Sequence, residues 1–273
     1  MYNRNVHNRA AASPTVTGDV PAYATMCSSN VDYWSACQCF GIAPTTITVT
    51  APTPTTTLAT PTCTQGVEYA LWVFDADSPQ AEELGIAWQY FPAVNRNRLV
   101  AGIAPVQSGV VAQVGFPQWM DYNNPLRFDG ISGPAGTGME YNVLEHRGYL
   151  VPSAAGTYAF QFSSVDDVAA VWVGAHAKSD ITTSQSVLNG TLGDFNPPLR
   201  YAHTVASADV GKPVPFRVFW ANAGGPAGHL WNVVDPSGAE VLGYGTQKNK
   251  QIIASCSGAG TDAPAWPAWT SES

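Results

Sequence analysis

The chain has 273 residues, with 12 Lys and Arg against 20 Asp and Glu, and its formal net charge is −8. An acidic chain without a basic block is not suited to bind nucleic acid or an anionic membrane surface, because both depend on clustered Lys and Arg. Only 12% of the residues are charged, and Thr, Val, aromatic residues, Gly and Pro are abundant. This composition is typical of a turn-rich all-β protein.

The first segment, residues 1–43, lacks the apolar core of a signal peptide and carries Cys27, Cys37 and Cys39. Together with Cys63 and Cys256 these cysteines do not have the spacing of a zinc site, so we expect disulfides. The three in the first segment can form one internal bridge, between Cys27 and either Cys37 or Cys39, and must leave one thiol over.

A linker is predicted at residues 44–62, where ten Thr and four Pro have little to bury and favour an extended chain. The last residues, 258–273, are small, polar and interrupted by Pro, which predicts a flexible tail. The folded domain is therefore expected at residues 63–257. The linker composition and the Asn189-Gly-Thr191 sequon indicate an extracellular protein with a glycan on Asn189. No apolar run is long enough to cross a membrane, so we expect no membrane insertion by this segment.

Between residues 63 and 257 the apolar residues recur with period two, as Tyr158, Phe160 and Phe162 do. The predicted strands are Glu68–Phe74, Ile86–Phe91, Val110–Gly115, Arg147–Val151, Tyr158–Phe162, Val168–Gly174, Leu199–Val205, Phe216–Trp220, Glu240–Tyr244 and Gln251–Ala254. No convincing helical stripe of twelve residues interrupts them. The pattern predicts an antiparallel β-sandwich or a barrel-like sandwich.

Three motifs, in order along the chain, resemble the GLEYA domain of fungal cell-wall adhesins. They are GVEYA at residues 66–70, a strand–acid pair–strand unit at 156–174, and FWANAGGP at 219–226. The resemblance implies a β-sandwich of the anthrax-protective-antigen type, related to the lectin domains of yeast flocculins and epithelial adhesins. It also implies a cell-wall adhesin that binds carbohydrate.

The acid pair of the second motif, Asp166 and Asp167, is a candidate cation site. In an extended strand adjacent side chains point to opposite faces, so both carboxylates can face one ion only if the backbone turns sharply between them. The resemblance implies a cis peptide at this position, and carboxylates are hard ligands that suit Ca²⁺. The alternative is a solvated acidic turn.

The resemblance further implies that Asn222 ligates Ca²⁺ through its side chain, while Gly224 and Pro226 offer backbone carbonyls. Open positions on the ion would accept two neighbouring hydroxyls of a terminal hexose such as mannose, galactose or N-acetylglucosamine. The Gly-rich loop has almost no side chains that could select among these sugars. The alternative is that the loop is merely a flexible turn.

Most tryptophans in strand patterns, namely Trp172, Trp220 and Trp231, are expected in the core rather than in a sugar platform. A loop-like stretch, FPQWMDYNNP, offers better candidates for a binding rim: Trp119 and Tyr122, with Gln118 as a hydrogen-bonding partner for a sugar hydroxyl. His229 is expected at a strand edge and not as a ligand.

A disulfide between Cys63 and Cys256 is expected, because the two cysteines bracket the patterned β region and adjacent first and last strands would bring them together. The resemblance to flocculin-type domains, whose ends are stapled, points the same way.

Catalysis is not expected, because sequence-adjacent carboxylates cannot readily flank a glycosidic bond as a glycosidase needs. We also find no hydrolase, zinc-protease or phosphate-loop motif. The predicted function is a calcium-dependent lectin domain at the fungal cell surface. The alternatives are a structural wall module with a structural or vestigial calcium site, and a sugar-binding module that uses Trp119 without calcium.

Overall fold

A computed structural model describes residues 18–41, 62–87, 94–119, 125–179, 181–258 and 261–272. The chain divides into two compact units, Met1–Thr57 and Leu58–Ser273. Within the described residues, no helix is long and apolar enough to cross a membrane.

The first unit contains one helix, α1 (Asn30–Cys39), among its described residues. Ser29 caps it, because its Oγ accepts a hydrogen bond from the backbone N–H of Asp32 at 3.2 Å. The predicted bridge in this segment is wrong, since Cys27, Cys37 and Cys39 are all free thiols. A helix rises about 1.5 Å per residue, so Cys37 lies about 10 Å along the axis from Asn30, too far for an easy bridge to the turn that holds Cys27.

The second unit is an antiparallel β domain, which confirms the predicted all-β fold class. Its strands are β1 (Thr62–Gln65), β2 (Val67–Val73), β3 (Gln107–Val111), β4 (Phe116–Trp119), β5 (Arg127–Phe128), β6 (Ile131–Ser132), β7 (Asn142–Leu150), β8 (Gly156–Val173), β9 (Leu188–Val205), β10 (Val214–Asn222), β11 (Ala227–Val234), β12 (Glu240–Leu242) and β13 (Ile252–Ser257). Two short helices, α2 (Pro79–Ala87) and α3 (Arg96–Val100), lie between β2 and β3.

One large sheet contains all of these strands except the β5–β6 hairpin. Its main path is β1-β13-β7-β10-β8-β11-β12, while β2 joins β7 and β3, β4 joins β11, and β9 joins β8. Both β7 and β8 pair with three other strands, so the sheet branches and forms a barrel-like sandwich.

The long strand β8 changes partner in its middle. Residues 159–166 pair with β11, and residues 168–173 pair with β10. The change falls at Asp166 and Asp167, where the ladder with β9 is also irregular. The sequence predicted two separate strands around the acid pair, whereas the structure has one continuous strand that bridges two parts of the sheet.

Side chains alternate between two cores, as period two requires. In β10, Phe216, Val218 and Trp220 enter one hydrophobic cluster, and Phe219 and Ala221 enter the other. Helices α2 and α3 contribute apolar side chains to the second cluster. The tryptophans predicted to be core residues, Trp172, Trp220 and Trp231, are buried. His229, predicted at a strand edge, is instead fully buried in β11 and stacked on Trp220, and burial lowers its pKa well below the usual value.

The GVEYA motif serves the fold. Gly66 links β1 to β2 at φ +110°, and a Cβ there would lie 2.3 Å from the carbonyl oxygen of Val111, so only glycine fits. The predicted disulfide is present in the adjoining strands, where Cys63 of β1 lies opposite Cys256 of β13.

A buried ionic cluster holds three arginines and three glutamates. It comprises Arg96, Arg147, Arg217, Glu68, Glu145 and Glu272. Glu145 is fully buried and bonds Arg96 and Arg217 at 2.6 Å each. Burial by itself raises the pKa of Glu145, but the two arginines outweigh it and the net direction is downward.

The C-terminal residues contradict the predicted flexible tail. Among residues 261–272, Ala263 and Trp266 are buried in the second hydrophobic cluster. The guanidinium carbon of Arg147 lies 3.5 Å from the ring centroid of Trp269, and Glu272 accepts from three arginines. We call residues 261–272 the C-terminal strap. The strap packs on the domain because Trp269 and Glu272 contact buried arginines. A prediction from the many small and polar residues of this segment cannot detect these contacts.

Two local predictions are wrong. The predicted strand Ile86–Phe91 begins inside helix α2, and residues 88–93 lie outside the described chain. Gln118 and Trp119, predicted in a loop, lie in strand β4. This strand pairs with β11, which provides hydrogen-bond partners for its backbone N–H and C=O groups.

Candidate functional site

An open cavity of about 510 Å³ lies where β8 passes from β10 to β11. The loop that joins β10 to β11 borders this cavity, and the acid pair of β8 lines it. The lining residues are Gly85, Tyr141, Asp166, Asp167, Leu192, Ala223, Gly224 and Pro226. The structure thus brings together four of the five residues predicted to hold a metal.

The two carboxylate residues are almost buried, with Asp166 5% and Asp167 6% exposed, and the peptide bond between them is cis. The backbone N–H of Ala223 donates to Asp167 Oδ2 at 2.8 Å. The indole N–H of Trp220 donates to the backbone carbonyl of Asp166, also at 2.8 Å. Strand β10 and the loop that follows it therefore hold the acid pair in place.

Electrostatics favour a cation at this cavity. The pKa of Asp167 is raised to about 6, chiefly by burial; the N–H of Ala223 lowers this pKa, and the negative charge of Asp166 contributes to its rise. Two carboxylates held close together in a buried site repel each other unless a proton or a cation neutralises them.

Asn222, the fifth predicted ligand, ends strand β10 and is fully buried. Its side-chain N–H donates to the carbonyl of Met139 at 2.5 Å. Its Oδ1 has no hydrogen-bond partner in the described part of the chain. An orphaned carbonyl oxygen is costly in a protein interior, and a cation would satisfy it.

The donor set fits a hard divalent cation. It consists of two carboxylates, one amide oxygen and the carbonyls of a loop in which Gly225 adopts φ +82°. The described ranges contain no group of three or more His, Cys, Asp and Glu side chains that could hold a metal. A cation bound here therefore depends on neutral oxygens as well as on the acid pair.

Four of the cavity residues were not among the predicted site residues, and two of them, Tyr141 and Leu192, have large side chains. Leu192 of β9 is an exposed apolar side chain, 52% accessible. Tyr141 adopts φ +54°; its N–H donates to Ala223 and its carbonyl accepts from Phe74. Neither belongs to a motif, and only the branching of the sheet brings them to the cavity, so no local signal could have found them.

The structure places the other candidates as follows. The backbone of Trp119 pairs with Ala227, directly after the Gly-rich loop, and Gln118 precedes it in β4. Their role in binding sugar stays a prediction, and Tyr122 lies outside the described residues. Asn189 of the sequon is exposed in β9. Its glycan also stays a prediction.

Comparison with known proteins identifies one family. Residues 142–235 match the family model of the GLEYA domain. None of the curated protein sequences matches the chain significantly.

Several solved structures are similar to the chain. The A domain of epithelial adhesin 6 from Candida glabrata, in complex with Galβ1-3GlcNAc, is 14% identical with a TM-score of 0.47, covering 70% of this chain and 92% of that one. The A domain of epithelial adhesin 9 from Candida glabrata, in complex with Galβ1-4GlcNAc, is 14% identical with a TM-score of 0.47, covering 74% and 97%. The PA14 sugar-binding domain from an RTX adhesin is 13% identical with a TM-score of 0.41, covering 68% and 99%.

The family match spans the acid pair of β8 and the Gly-rich loop after β10, while the GVEYA motif of β2 lies before it. The resemblance inferred from the sequence is confirmed: residues 142–235 of this chain match the GLEYA domain.

Proposed function

We propose that this chain is a calcium-dependent carbohydrate-binding adhesin domain displayed at a fungal cell surface. The observation that carries the proposal is that Asp166 and Asp167 line one open cavity together with Ala223, the neighbour of Asn222, whose buried Oδ1 has no partner in the described part of the chain. The GLEYA match over the same residues supports it.

Each part of the chain has a defined task in this proposal. Asp166, Asp167, Asn222 and the carbonyls of Gly224 and Pro226 would hold Ca²⁺, which when bound offers free positions to two neighbouring sugar hydroxyls. Leu192 and Tyr141 would border the sugar. Since apolar side chains pack against the C–H face of a sugar ring, they could orient the ligand without hydrogen bonds.

Binding of a single sugar is expected to be weak. Two hydroxyls and a few contacts suggest a dissociation constant on the order of 1 mM, or about −4 kcal/mol. Adhesion would then rely on many copies of the domain that act together at one surface.

Glycan binding with and without a chelator tests the proposal. Galβ1-3GlcNAc and Galβ1-4GlcNAc are suitable first probes, with mannose and N-acetylglucosamine ends beside them. We expect binding in 1 mM calcium and none in EDTA, with recovery when calcium is restored. Equal binding in EDTA would favour a calcium-independent site, and no binding to any sugar while calcium still binds would favour a structural wall module.

Calcium affinity should depend on pH. The pKa of Asp167 is raised from 3.8 to about 6, so below pH 6 the folded apo domain carries a proton there that must leave when the cation binds. Affinity should therefore be about tenfold weaker at pH 5 than at pH 7.5, since one proton changes it tenfold per pH unit. Calorimetric titration at both values checks this, and equal affinities would contradict it.

The same shift acts on stability with the opposite sign. Without calcium, the free energy of unfolding should fall as the pH rises from about 4 to about 6. Over this range the unfolded chain has already lost the proton of Asp167, while the folded domain still holds it. The rise in melting temperature on adding calcium should therefore be larger at pH 7.5 than at pH 5.

A further inference from the structure

A second buried asparagine lies beside Asn222. Asn142 is the first residue of β7, and the ladder between β7 and β10 pairs it directly with Asn222, the last residue of β10. Directly opposed residues of an antiparallel pair have Cβ atoms about 5 Å apart on the same face of the sheet. Both residues are fully buried.

The two side chains make the same kind of hydrogen bond. The amide N–H of Asn142 donates to the carbonyl of Gly138 at 2.8 Å, and that of Asn222 donates to the carbonyl of the next residue, Met139. Each amide oxygen is left over: Asn142 Oδ1, like Asn222 Oδ1, has no partner among the residues that the structure describes. Two orphaned amide oxygens therefore belong to directly paired residues at the end of β7 and β10.

We infer that Asn142 is a further ligand of the cation site, binding the ion through Oδ1 beside Asn222. This inference rests on the proposed function. A buried carbonyl oxygen without a partner destabilises the fold, so two on paired residues are retained at low cost only where something satisfies both. One cation next to Asp167 satisfies both together.

The position of Asn142 relative to the cavity supports this role. The preceding residue, Tyr141, lines the cavity, and its N–H donates to the carbonyl of Ala223. Ala223 in turn donates to Asp167 Oδ2. Asn142 is thus the chain neighbour of Tyr141, which is connected through two hydrogen bonds of Ala223 to the carboxylate that Asn142 would assist.

An additional ligand changes what the ion can offer a sugar. With Asp166, Asp167, Asn222 and the two loop carbonyls, Asn142 would be the sixth protein oxygen. Ca²⁺ accepts six to eight oxygens, so at most two positions would stay open. That number suits two neighbouring hydroxyls of one sugar ring and leaves no position for a third.

Terbium binding to the purified full chain tests the inference, because Tb³⁺ replaces Ca²⁺ and its luminescence lifetime in H₂O and D₂O counts bound waters. Asn142→Leu removes the oxygen and keeps the number of side-chain heavy atoms, although it also removes the N–H that donates to Gly138. We expect about tenfold weaker calcium binding, measured by competition with Tb³⁺, and one more water on the bound ion.

The matched control is Asn232→Leu. The Oδ1 of Asn232 also lacks a partner in the described chain. Asn232, however, lies on β11, four residues beyond Gly228, which pairs with Asp166. That control should match the wild type in both readouts.

The outcomes separate the inference from the proposed function. A folded Asn142→Leu variant with unchanged affinity and water count would overturn the inference while the cation site stands. A wild-type chain that binds neither Tb³⁺ nor Ca²⁺ would overturn both. If Asn142→Leu does not fold, Asn142→Asp keeps an oxygen and adds a charge; tighter calcium binding supports the inference, and unchanged or weaker binding contradicts it.

Discussion

Replacing Asp166 and Asp167 together by alanine is expected to weaken calcium binding by about 100-fold or more and to abolish sugar binding. Loss of a single supporting residue around a metal commonly costs 10–100-fold, and this change removes both carboxylates of the site. The fold should survive, because the two lost charges would serve the ion rather than the hydrophobic core. In EDTA the variant should be at least as stable as the wild type, since burial penalises the charge of Asp167.

Three measurements on the double variant check this: terbium luminescence for the ion, glycan binding for the sugar, and thermal unfolding for the fold. Asp209→Ala is the matched control, because Asp209 is an exposed acid that pairs only with Lys212 in the described chain. That control should bind calcium and sugar like the wild type. Undiminished sugar binding by the double variant would contradict the proposed site.

Replacing Glu272 by alanine is expected to lower the free energy of unfolding by about 3–5 kcal/mol. Glu272 Oε1 accepts from Arg147 at 2.6 Å and from Arg217 at 2.7 Å, and its Oε2 accepts from Arg96. All three arginines are buried, so the change leaves three buried cations with only the carboxylates of Glu68 and Glu145 in the cluster. The loss is a large share of the 5–15 kcal/mol that stabilises an ordinary domain.

Urea unfolding of the full chain measures this loss. Glu272→Gln keeps the size but not the charge, and it should lose nearly as much, which separates charge from packing. Asp209→Ala again serves as control: its ion pair is exposed, so the expected loss is below about 1 kcal/mol. A loss below 1 kcal/mol for Glu272→Ala would mean that the C-terminal strap contributes little to the fold.

The β architecture was largely predictable from the sequence, because apolar side chains recur at every second residue along its strands. Phe216, Val218 and Trp220 lie on one face of β10 as period two requires, and the acid pair lies in a strand flanked by two such runs. The short helices were not predictable by the same means. Helix α3 has five residues, which is little more than one turn and gives no readable stripe.

The candidate site was predictable in its motif residues but not in its surroundings. Asp166, Asp167, Gly224 and Pro226 follow from local sequence and the family resemblance. Asn142 could not be predicted in this way, because its position depends on the pairing of β7 with β10. This pairing places Asn142 opposite Asn222, which lies 80 residues later in the chain. Only the sheet brings these positions together.

The ionic cluster was missed although β10 contains a signal of it. Arg217 stands between Phe216 and Val218 in an otherwise apolar strand, in a chain with only 12 Lys and Arg. A charge in such a place needs a buried partner. Its partners, Glu145 and Glu272, are 72 and 55 residues away. The sequence therefore indicates that Arg217 requires a buried acidic partner but does not identify that partner.

The bond between Cys63 and Cys256 decides how the domain would carry mechanical load. It joins the first and last strands of the sheet across 193 residues of chain. Tension applied through the chain before Cys63 and after Cys256 would pass through the covalent bond, so the intervening sheet, cavity and acid pair would bear none of it. The C-terminal strap lies beyond Cys256 and outside this protected loop. Force applied past Glu272 would therefore detach the strap from its arginines before it could distort the proposed sugar site.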